Sequence, residues 1–397
     1  MTSQPKKLRI LMLYDFPIKG GGSGSYVKYL AKRLHDTKEY DVAIAAPDTE
    51  PIDANIQQFT IKLPYIPVFI GRPGLEKSKK YKDLTPKEIQ QLYCSFLSET
   101  IKIVEEYKPD IIHVHHMLVN AWVANFLRGV YGIRYVLTCH GSDLFAVMQD
   151  RRYHRMSRDA LRASDVITVV SGDTRAKLLK VFGPELGKKV RTIAGGIRLD
   201  LFPERMDKKS LRDLATSLAV REGKVALFTG RLITEKGVEY IVKAASKIKG
   251  EVIIAGDGPQ KKKLEKMVKD LKLTNVHMLG HFDYQTLIKL YYLADVFVSP
   301  AVWDEPLGLT IIEAMAASKP VVVTRKGGVT MAVKDGQNGY FVRPRNASDI
   351  AEKVNRLFAN PTLAEKMGKK ARSVVVERFT WPEISRRFEN VYHKVSL

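Results

Sequence analysis

Two glutamates, Glu305 and Glu313, flank a glycine in Trp303-Asp304-Glu305-Pro306-Leu307-Gly308-Leu309-Thr310-Ile311-Ile312-Glu313-Ala314-Met315-Ala316. A carboxylate accepts hydrogen bonds from hydroxyls, and a glycine lets the backbone come close to a bound group. Residues 294–300 read as a short buried strand running into a loop. From Leu307 onward the residue types favour helix, with Pro306 at an early helical position where a missing N–H costs nothing. That places Glu305 in a strand-to-helix loop and Glu313 about two turns into the helix. Free amides around Gly308, Leu309 and Thr310 would form an anion cradle at the helix start. Hydroxyl acceptors flanking such a cradle suit a ligand with hydroxyls at both ends and phosphate in the middle, such as a sugar nucleotide. The plainer alternative is one capping and one solvated glutamate.

Other segments carry compatible chemistry. Gly230-Arg231-Leu232-Ile233-Thr234-Glu235-Lys236-Gly237 follows a strand-like run at 224–229 and precedes a helical pattern. Arg231 and Lys236 therefore bracket a strand-to-helix loop, where two cations can neutralise a diphosphate. The alternative is ordinary surface charge. Gly20-Gly21-Gly22-Ser23-Gly24-Ser25 lies between a strand at 8–14 and a helix with Val27, Leu30, Ala31 and Leu34 on one face. Such glycines let amides reach phosphate or sugar oxygens, unless the segment is a mobile surface loop. Gly20 and Gly22, with Asp48 beyond the strand 41–46, partly imitate a dinucleotide fingerprint. The long loop, and Ser25 in place of the third glycine, speak against it. His113, His115 and His116 end a strand at 110–114, with His113 and His115 on one face. No carboxylate or thiol lies nearby in sequence, so a polar strand end lining a cleft is favoured over a metal site.

Glu305 and Glu313, separated by seven residues inside EPLGLTIIEA, resemble the signature of retaining GT-B glycosyltransferases of the group 1, family 4-like type. GRLxxEKG at 230–237 and TxHGSD at 138–143 resemble the same family, and the likeness covers nearly the whole chain. GDGP at 256–259 also does, though a plain tight turn reads as well. The resemblance implies an α/β protein of two doubly wound, Rossmann-like domains facing across a cleft. It implies hexose transfer from a UDP- or GDP-linked sugar to an acceptor hydroxyl, with retained anomeric configuration. No metal or other cofactor is expected. Glu305 would orient a donor-sugar hydroxyl and support the oxocarbenium-like centre, and His140 would position the sugar. Arg231, Lys236 and the amides of Leu309 and Thr310 would stabilise the leaving diphosphate. Glu313 would accept bonds from ribose hydroxyls, and Gly22, Gly230 and Gly308 would lie against the donor. The chain departs from the family pattern at Gly195 (usually Asn), Arg198 (usually Asp) and Thr330-Met331 (commonly Pro-Glu), so a carboxylate contact at 331 is lost.

Elements must position these groups. Strand-like runs at 8–14, 41–46, 110–114, 134–138, 165–170 and 190–193 alternate with helices that include 86–107 and 118–130. A second series runs through strands at 224–229, 251–255, 275–280, 294–300 and 320–324 and a helix at 284–293 to closing helices at 347–358 and 363–375. Alternation of this kind argues for parallel doubly wound sheets, whose ligands bind beyond the carboxyl ends of the strands. Residues 194–200 read as a linker, giving domains 1–196 and 197–379. The resemblance brings the last helix, about 380–397, back onto the first domain with Trp381 and Phe388 as anchors. A chain of 397 residues accommodates two or three domains.

Hydrophobic content of 45% and charged content of 27% are those of a globular protein. No apolar run approaches the ~18 residues of a membrane span, and 8–14 is too short for an export signal. Cys94 and Cys139 lack metal-ligand spacing, so a reduced, cytoplasmic protein is expected. Lys+Arg 65 against Asp+Glu 43 gives +22, which favours anionic partners. Without zinc-finger spacing or an RNA-binding aromatic motif, nucleic acid is not expected among them. Residues 64–85 are broken by Pro64, Pro67, Gly71, Pro73 and Gly74. They read as a long loop with an apolar tip of Tyr65, Val68, Phe69 and Ile70 beside Lys77, Lys79, Lys80 and Lys82. Arg151, Arg155, Arg158 and Arg162 form one helical stripe, with Tyr153, Met156, Ala160 and Ala163 opposite. A solvated basic surface is the plainer reading of each feature; together with the net charge they tilt slightly toward a lipid-linked or otherwise anionic acceptor and peripheral contact at the inner membrane face. Two other functions fit the sequence: a nucleotide-sugar epimerase on a similar fold, and a non-catalytic polyanion binder.

Overall fold

Apolar, β-branched runs such as Val-Ala-Leu-Phe-Thr and Val-Val-Val-Thr suit parallel strands buried on both faces, and that is how they fold. The computed structural model describes residues 7–18, 22–69 and 78–397. It divides into two units, residues 1–196 with Trp381–Leu397, and Ile197–Thr380.

In the first unit the strands are β1 (Leu8–Leu13), β2 (Tyr40–Ala46), β3 (Gln57–Thr60), β4 (Ile66–Val68), β5 (Ser78–Lys80), β6 (Ile111–His115), β7 (Arg134–Cys139), β8 (Val166–Val169) and β9 (Val190–Thr192). Among the described residues, seven of them form one sheet in the order β3-β2-β1-β6-β7-β8-β9, all parallel. The winding reverses between β1 and β6, which makes their carboxyl ends the natural ligand position. Helix Pro86–Tyr107 starts at a capping box. Thr85 accepts from the Glu88 amide and the Glu88 carboxylate accepts from the Thr85 amide, with Pro86 as first helical residue. The closing helix Trp381–Ser396 packs in this unit through buried Trp381, Phe388 and Tyr392. Tyr26 meets Trp381 edge-on at 5.5 Å and Phe388 at 6.2 Å. Burying one such aromatic ring contributes about 1.5–3 kcal/mol.

In the second unit β10 (Val225–Thr229), β11 (Glu251–Ala255), β12 (Val276–Gly280), β13 (Val296–Ser299), β14 (Val321–Thr324) and β15 (Gly339–Val342) form a parallel sheet. Its order is β12-β11-β10-β13-β14-β15. Here the winding reverses between β10 and β13, which pair as Ala226↔Val296 and Leu227↔Phe297.

Two surface expectations need correction. Residues 64–85 are not simply a loop. β4 and β5 pair in parallel, Ile66↔Ser78 to Val68↔Lys80, and a 3-10 turn follows at Tyr81–Asp83. The apolar tip turns inward: Tyr65 and Val68 are buried, and Phe69 stacks on buried Tyr81 at 5.2 Å. Ile70, Gly71, Pro73, Gly74 and Lys77 lie outside the described residues, as do Gly20 and Gly21. The arginine stripe is interrupted too. Arg151–Tyr153 is a 3-10 turn and the helix runs His154–Ala163. Its packed face centres on Ser157, Ala160 and Leu161, with the Trp122 indole donating to Ser157 (3.2 Å), so Met156 is left exposed at 44%. Among the described residues no helix is long and apolar enough to cross a membrane.

Candidate active site

β10 and β13 are neighbours at the winding reversal, so the loops leaving their carboxyl ends must meet. The Thr234–Lys236 turn follows β10 and ends at Gly237, which has φ +65°. A Cβ there would stand 2.2 Å from the Pro300 carbonyl oxygen, so only glycine lets the two loops close. The Val302 amide then donates to the Glu235 carbonyl at 2.9 Å. This contact delivers Lys236 to Glu305: Nζ and Oε2 are 2.5 Å apart, and the Trp303 indole donates to the same oxygen at 3.2 Å.

Glu305 is also gripped through its main chain by Gly327 and Gly328, just ahead of the Thr330-Met331 departure. Gly328 donates its amide to the Glu305 carbonyl at 2.7 Å. Gly327, at φ +67°, lies so close that a Cβ would come within 2.3 Å of that oxygen. Lys326 reaches Asp304 and the Val302 carbonyl, each at 3.3 Å. The Gly-Asp-Gly-Pro segment is more than a tight turn, because it braces the Arg231 loop. Leu232 donates to the Asp257 carbonyl (2.8 Å) and Gln260 donates to the Leu232 carbonyl (2.9 Å). Gly230 bonds back to Ala255 at 3.1 Å, and the Arg231 side chain is exposed.

The helix begins later than the residue types suggest. It spans Leu309–Ala316 with Gly308 as N-cap in the left-handed region, φ +78°. Pro306 therefore precedes the helix, and Glu313 lies little more than one turn inside it. The Leu309 and Thr310 amides, as first helical residues, have no intrahelical acceptor. Glu313 accepts the Tyr284 hydroxyl at Oε1 (2.9 Å) and the Tyr291 hydroxyl at Oε2 (2.7 Å). Burial pushes its carboxyl up against the opposing pull of these two bonds.

In the first unit the reversal point carries a buried polar network. His113 and His115 share a face, but they are fully buried rather than lining a cleft. His113 pairs with the Tyr392 hydroxyl (2.6 Å) and the Thr138 hydroxyl (2.7 Å), partners distant in sequence. His115 Nδ1 faces His140 Nε2 at 3.1 Å, and Tyr26 meets the His140 ring edge-on at 5.0 Å. His140 is 9% exposed and does not cap the next helix; Gly141 is the N-cap of Ser142–Gln149. Asp143 staples this loop, accepting from the Gly141 amide (2.8 Å) and the Met117 amide (3.1 Å). Asp15 accepts from Tyr81 (2.8 Å) and His116 (2.7 Å), contacts the sequence did not reveal. Gly22 is the exposed first residue of helix Gly22–Asp36. Among the described residues no group of three or more His, Cys, Asp or Glu side chains is placed to hold a metal ion.

Burial holds the imidazole of His113 down to about 3 and those of His115 and His140 well below the usual range. For His116 burial acts downward, but the Asp15 charge and hydrogen bond outweigh it and leave its pKa raised. In the unfolded chain these groups protonate near 6.5. As pH falls below that value the unfolded state takes up protons that folded His113, His115 and His140 refuse. Stability therefore declines, by at most about 1.4 kcal/mol per group and pH unit, with His116 opposing. The urea midpoint should be lower at pH 5.5 than at pH 7.5, and His113→Gln should flatten the difference. A midpoint indifferent to pH would contradict neutral burial.

The family description "Glycosyl transferases group 1" matches residues 212–374, and "Glycosyltransferase Family 4" matches residues 20–201. An uncharacterized glycosyltransferase of Methanocaldococcus jannaschii is 32% identical over 297 residues, 72% of this chain and 75% of that protein. Sucrose-phosphate synthase from Thermosynechococcus elongatus superposes with a TM-score of 0.80 at 22% identity, covering 98% of this chain and 99% of that one. Anabaena HepE in complex with UDP-glucose superposes with a TM-score of 0.78 at 19% identity, covering 98% and 100%. With two parallel α/β units and these matches, the chain belongs to the group 1 glycosyltransferases and has their GT-B fold of two Rossmann-like domains.

Proposed function

We propose that the protein moves a hexose from a UDP- or GDP-linked sugar to an acceptor hydroxyl, retaining the anomeric configuration and using no metal. The observation that carries this reading is the Lys236–Glu305 pair at the carboxyl ends of β10 and β13. It joins a phosphate-binding cation to a hydroxyl acceptor beside a helix start. The bond from the anomeric carbon to the diphosphate breaks while the acceptor oxygen bonds on the same face. The acceptor proton passes to the departing phosphate oxygen. Lys236, Arg231 and the Leu309 and Thr310 amides stabilise the charge that develops there, already aimed at the leaving group once the donor is bound. They supply the positive charge a metal would otherwise supply. Glu305 orients a sugar hydroxyl and favours the oxocarbenium-like centre, His140 positions the sugar, and Glu313 holds the ribose. Gly22, Gly230 and Gly308 leave room for the donor. The complex of Anabaena HepE with UDP-glucose supports a nucleotide sugar as donor.

Thermal-shift screening of sugar nucleotides tests this. A true donor at a hundred times its Kd adds about 2.7 kcal/mol of apparent stability, and its product should keep the anomeric configuration. Indifference to every UDP- and GDP-sugar, or an epimerised sugar nucleotide formed without acceptor, would overturn the reading.

The acceptor in this reading is lipid-linked or anionic. Phe145 and Met148 are about half exposed (49% and 50%) on one helix, and Met156 stands out on the next among exposed Arg155 and Arg162. Apolar tips amid arginines suit an anionic bilayer surface. The protein should co-sediment with anionic vesicles at low salt; staying in the supernatant would remove the lipid acceptor.

A further inference from the structure

Glu313 is bracketed rather than merely reached. Tyr284 and Tyr291 belong to one helix, Tyr284–Leu293, and their spacing of seven puts both on the same face. Each sends its hydroxyl to a different oxygen of the same carboxylate, Tyr284 to Oε1 and Tyr291 to Oε2. A phenol has a single proton. Since that of Tyr291 goes to Glu313, the Thr229 hydroxyl must be the donor in its 2.8 Å contact with the Tyr291 oxygen. Thr229 is the last residue of β10. The chain Thr229–Tyr291–Glu313 thus ties the carboxylate to the strand end from which the Arg231 loop departs.

Tyr291 is fully buried, with its ring tilted against Phe297 of β13 at 5.8 Å and Phe202 at 6.3 Å. Its hydroxyl is therefore fixed by packing. Tyr284 is 38% exposed, so this side of the carboxylate meets solvent. An ionised carboxylate offers about four lone-pair directions, two per oxygen. The tyrosines occupy one on each oxygen and leave one on each. Two parallel acceptor directions on neighbouring oxygens match two hydroxyls on adjacent carbons, a vicinal diol.

We propose that Tyr291 and Tyr284 are positioning residues that lock Glu313 as a two-pronged acceptor for the ribose diol, and that this lock sets discrimination between ribo- and deoxyribonucleotide donors. The proposal rests on the reading of the second unit as the donor site. No substrate atom touches Tyr291, which acts through the carboxylate. Since the same bonds persist from bound donor to transition state, weakening the lock raises KM and leaves kcat nearly unchanged.

The test is a set of calorimetric titrations with UDP or GDP, whichever stabilises the protein, and with its 2′-deoxy and 3′-deoxy analogues. Wild type should bind the ribonucleotide at least about tenfold more tightly than either analogue, because a lost hydroxyl leaves an acceptor unpaired. Tyr291→Phe keeps the packed ring. It should weaken the ribonucleotide about tenfold and the deoxy forms little, so that the ratio collapses. Tyr284→Phe, at an exposed position that folding tolerates, should lower the ratio for one analogue more than for the other. A Tyr291→Phe protein that binds all three nucleotides more weakly by one common factor would reduce Tyr291 to a packing role and overturn the proposal, as would unchanged ratios in Tyr284→Phe. Failure of wild type to bind either UDP or GDP would instead overturn the donor-site reading itself, and the proposal with it.

Discussion

Lys236→Ala will lower kcat/KM for sugar transfer by about 30- to 1000-fold, the loss of about 2–4 kcal/mol of transition-state stabilisation. Its side chain is only 18% exposed and is held in place by the loop closure at Gly237 and Pro300. A fixed, partly desolvated cation acts on a leaving diphosphate far more strongly than a mobile surface lysine. Water filling the truncated site can rearrange, and that reorganisation is what the enzyme otherwise avoids. Lys236→Arg should recover little, because a planar fork cannot copy a compact point charge facing Glu305. Steady-state kinetics with a saturating acceptor decides the matter. Near-wild-type transfer by Lys236→Ala would remove this residue from the mechanism.

Glu305→Gln should separate two quantities that structural damage would move together. Transfer should slow by about 100-fold or more, because glutamine can still accept a sugar hydroxyl but offers no charge to the oxocarbenium-like centre. Binding of UDP or GDP should tighten. In the structure Lys236 is already neutralised by the Glu305 carboxylate at 2.5 Å. An arriving diphosphate must share that lysine and also face a negative charge. Two unit charges about 5 Å apart at an effective dielectric constant of 20 oppose each other by about 3 kcal/mol. Glutamine removes the repulsion and keeps the shape, and the main-chain bond from Gly328 survives. Calorimetry with UDP and GDP should show Kd falling by about tenfold while kcat falls. If nucleotide affinity and kcat drop together, Glu305 serves the scaffold and not the charge balance. The same repulsion helps expel the product once the sugar has left.

The residues that can be read one element at a time were legible in the chain. Val-Ala-Leu-Phe-Thr and Glu-Val-Ile-Ile-Ala pair inside a parallel sheet and are apolar apart from Thr229 and Glu251 at their ends, as burial on both faces requires. The strand–loop–helix positions of Arg231, Lys236 and Glu305 followed from that alternation. What stayed hidden depends on contacts between distant segments. Gln-Gln-Phe-Thr at β3 is a largely polar sheet edge, and Gly-Tyr-Phe-Val at β15 opens with a glycine, so neither announces a strand. The residue types from Leu307 onward suggest a helix start two residues too early, because the Gly327–Gly328 clamp that holds residue 305 in a loop comes from 22 positions farther along. His113 looks like a cleft residue until Tyr392, 279 positions away, supplies its partner. The Lys236–Glu305 pair, 69 positions apart, could be expected as a neighbourhood from the strand order but not as a bond.

The measurement that bears most directly on the site is a crystal structure of the protein with UDP or GDP bound. The pyrophosphate should lie between Lys236, Arg231 and the Leu309 and Thr310 amides, with the ribose hydroxyls on Glu313 and the Lys236–Glu305 pair loosened to admit it. A pyrophosphate seated away from Arg231 and Lys236 would contradict the assignment of the leaving group to the loops beyond β10 and β13, and with it every role given to the residues around them.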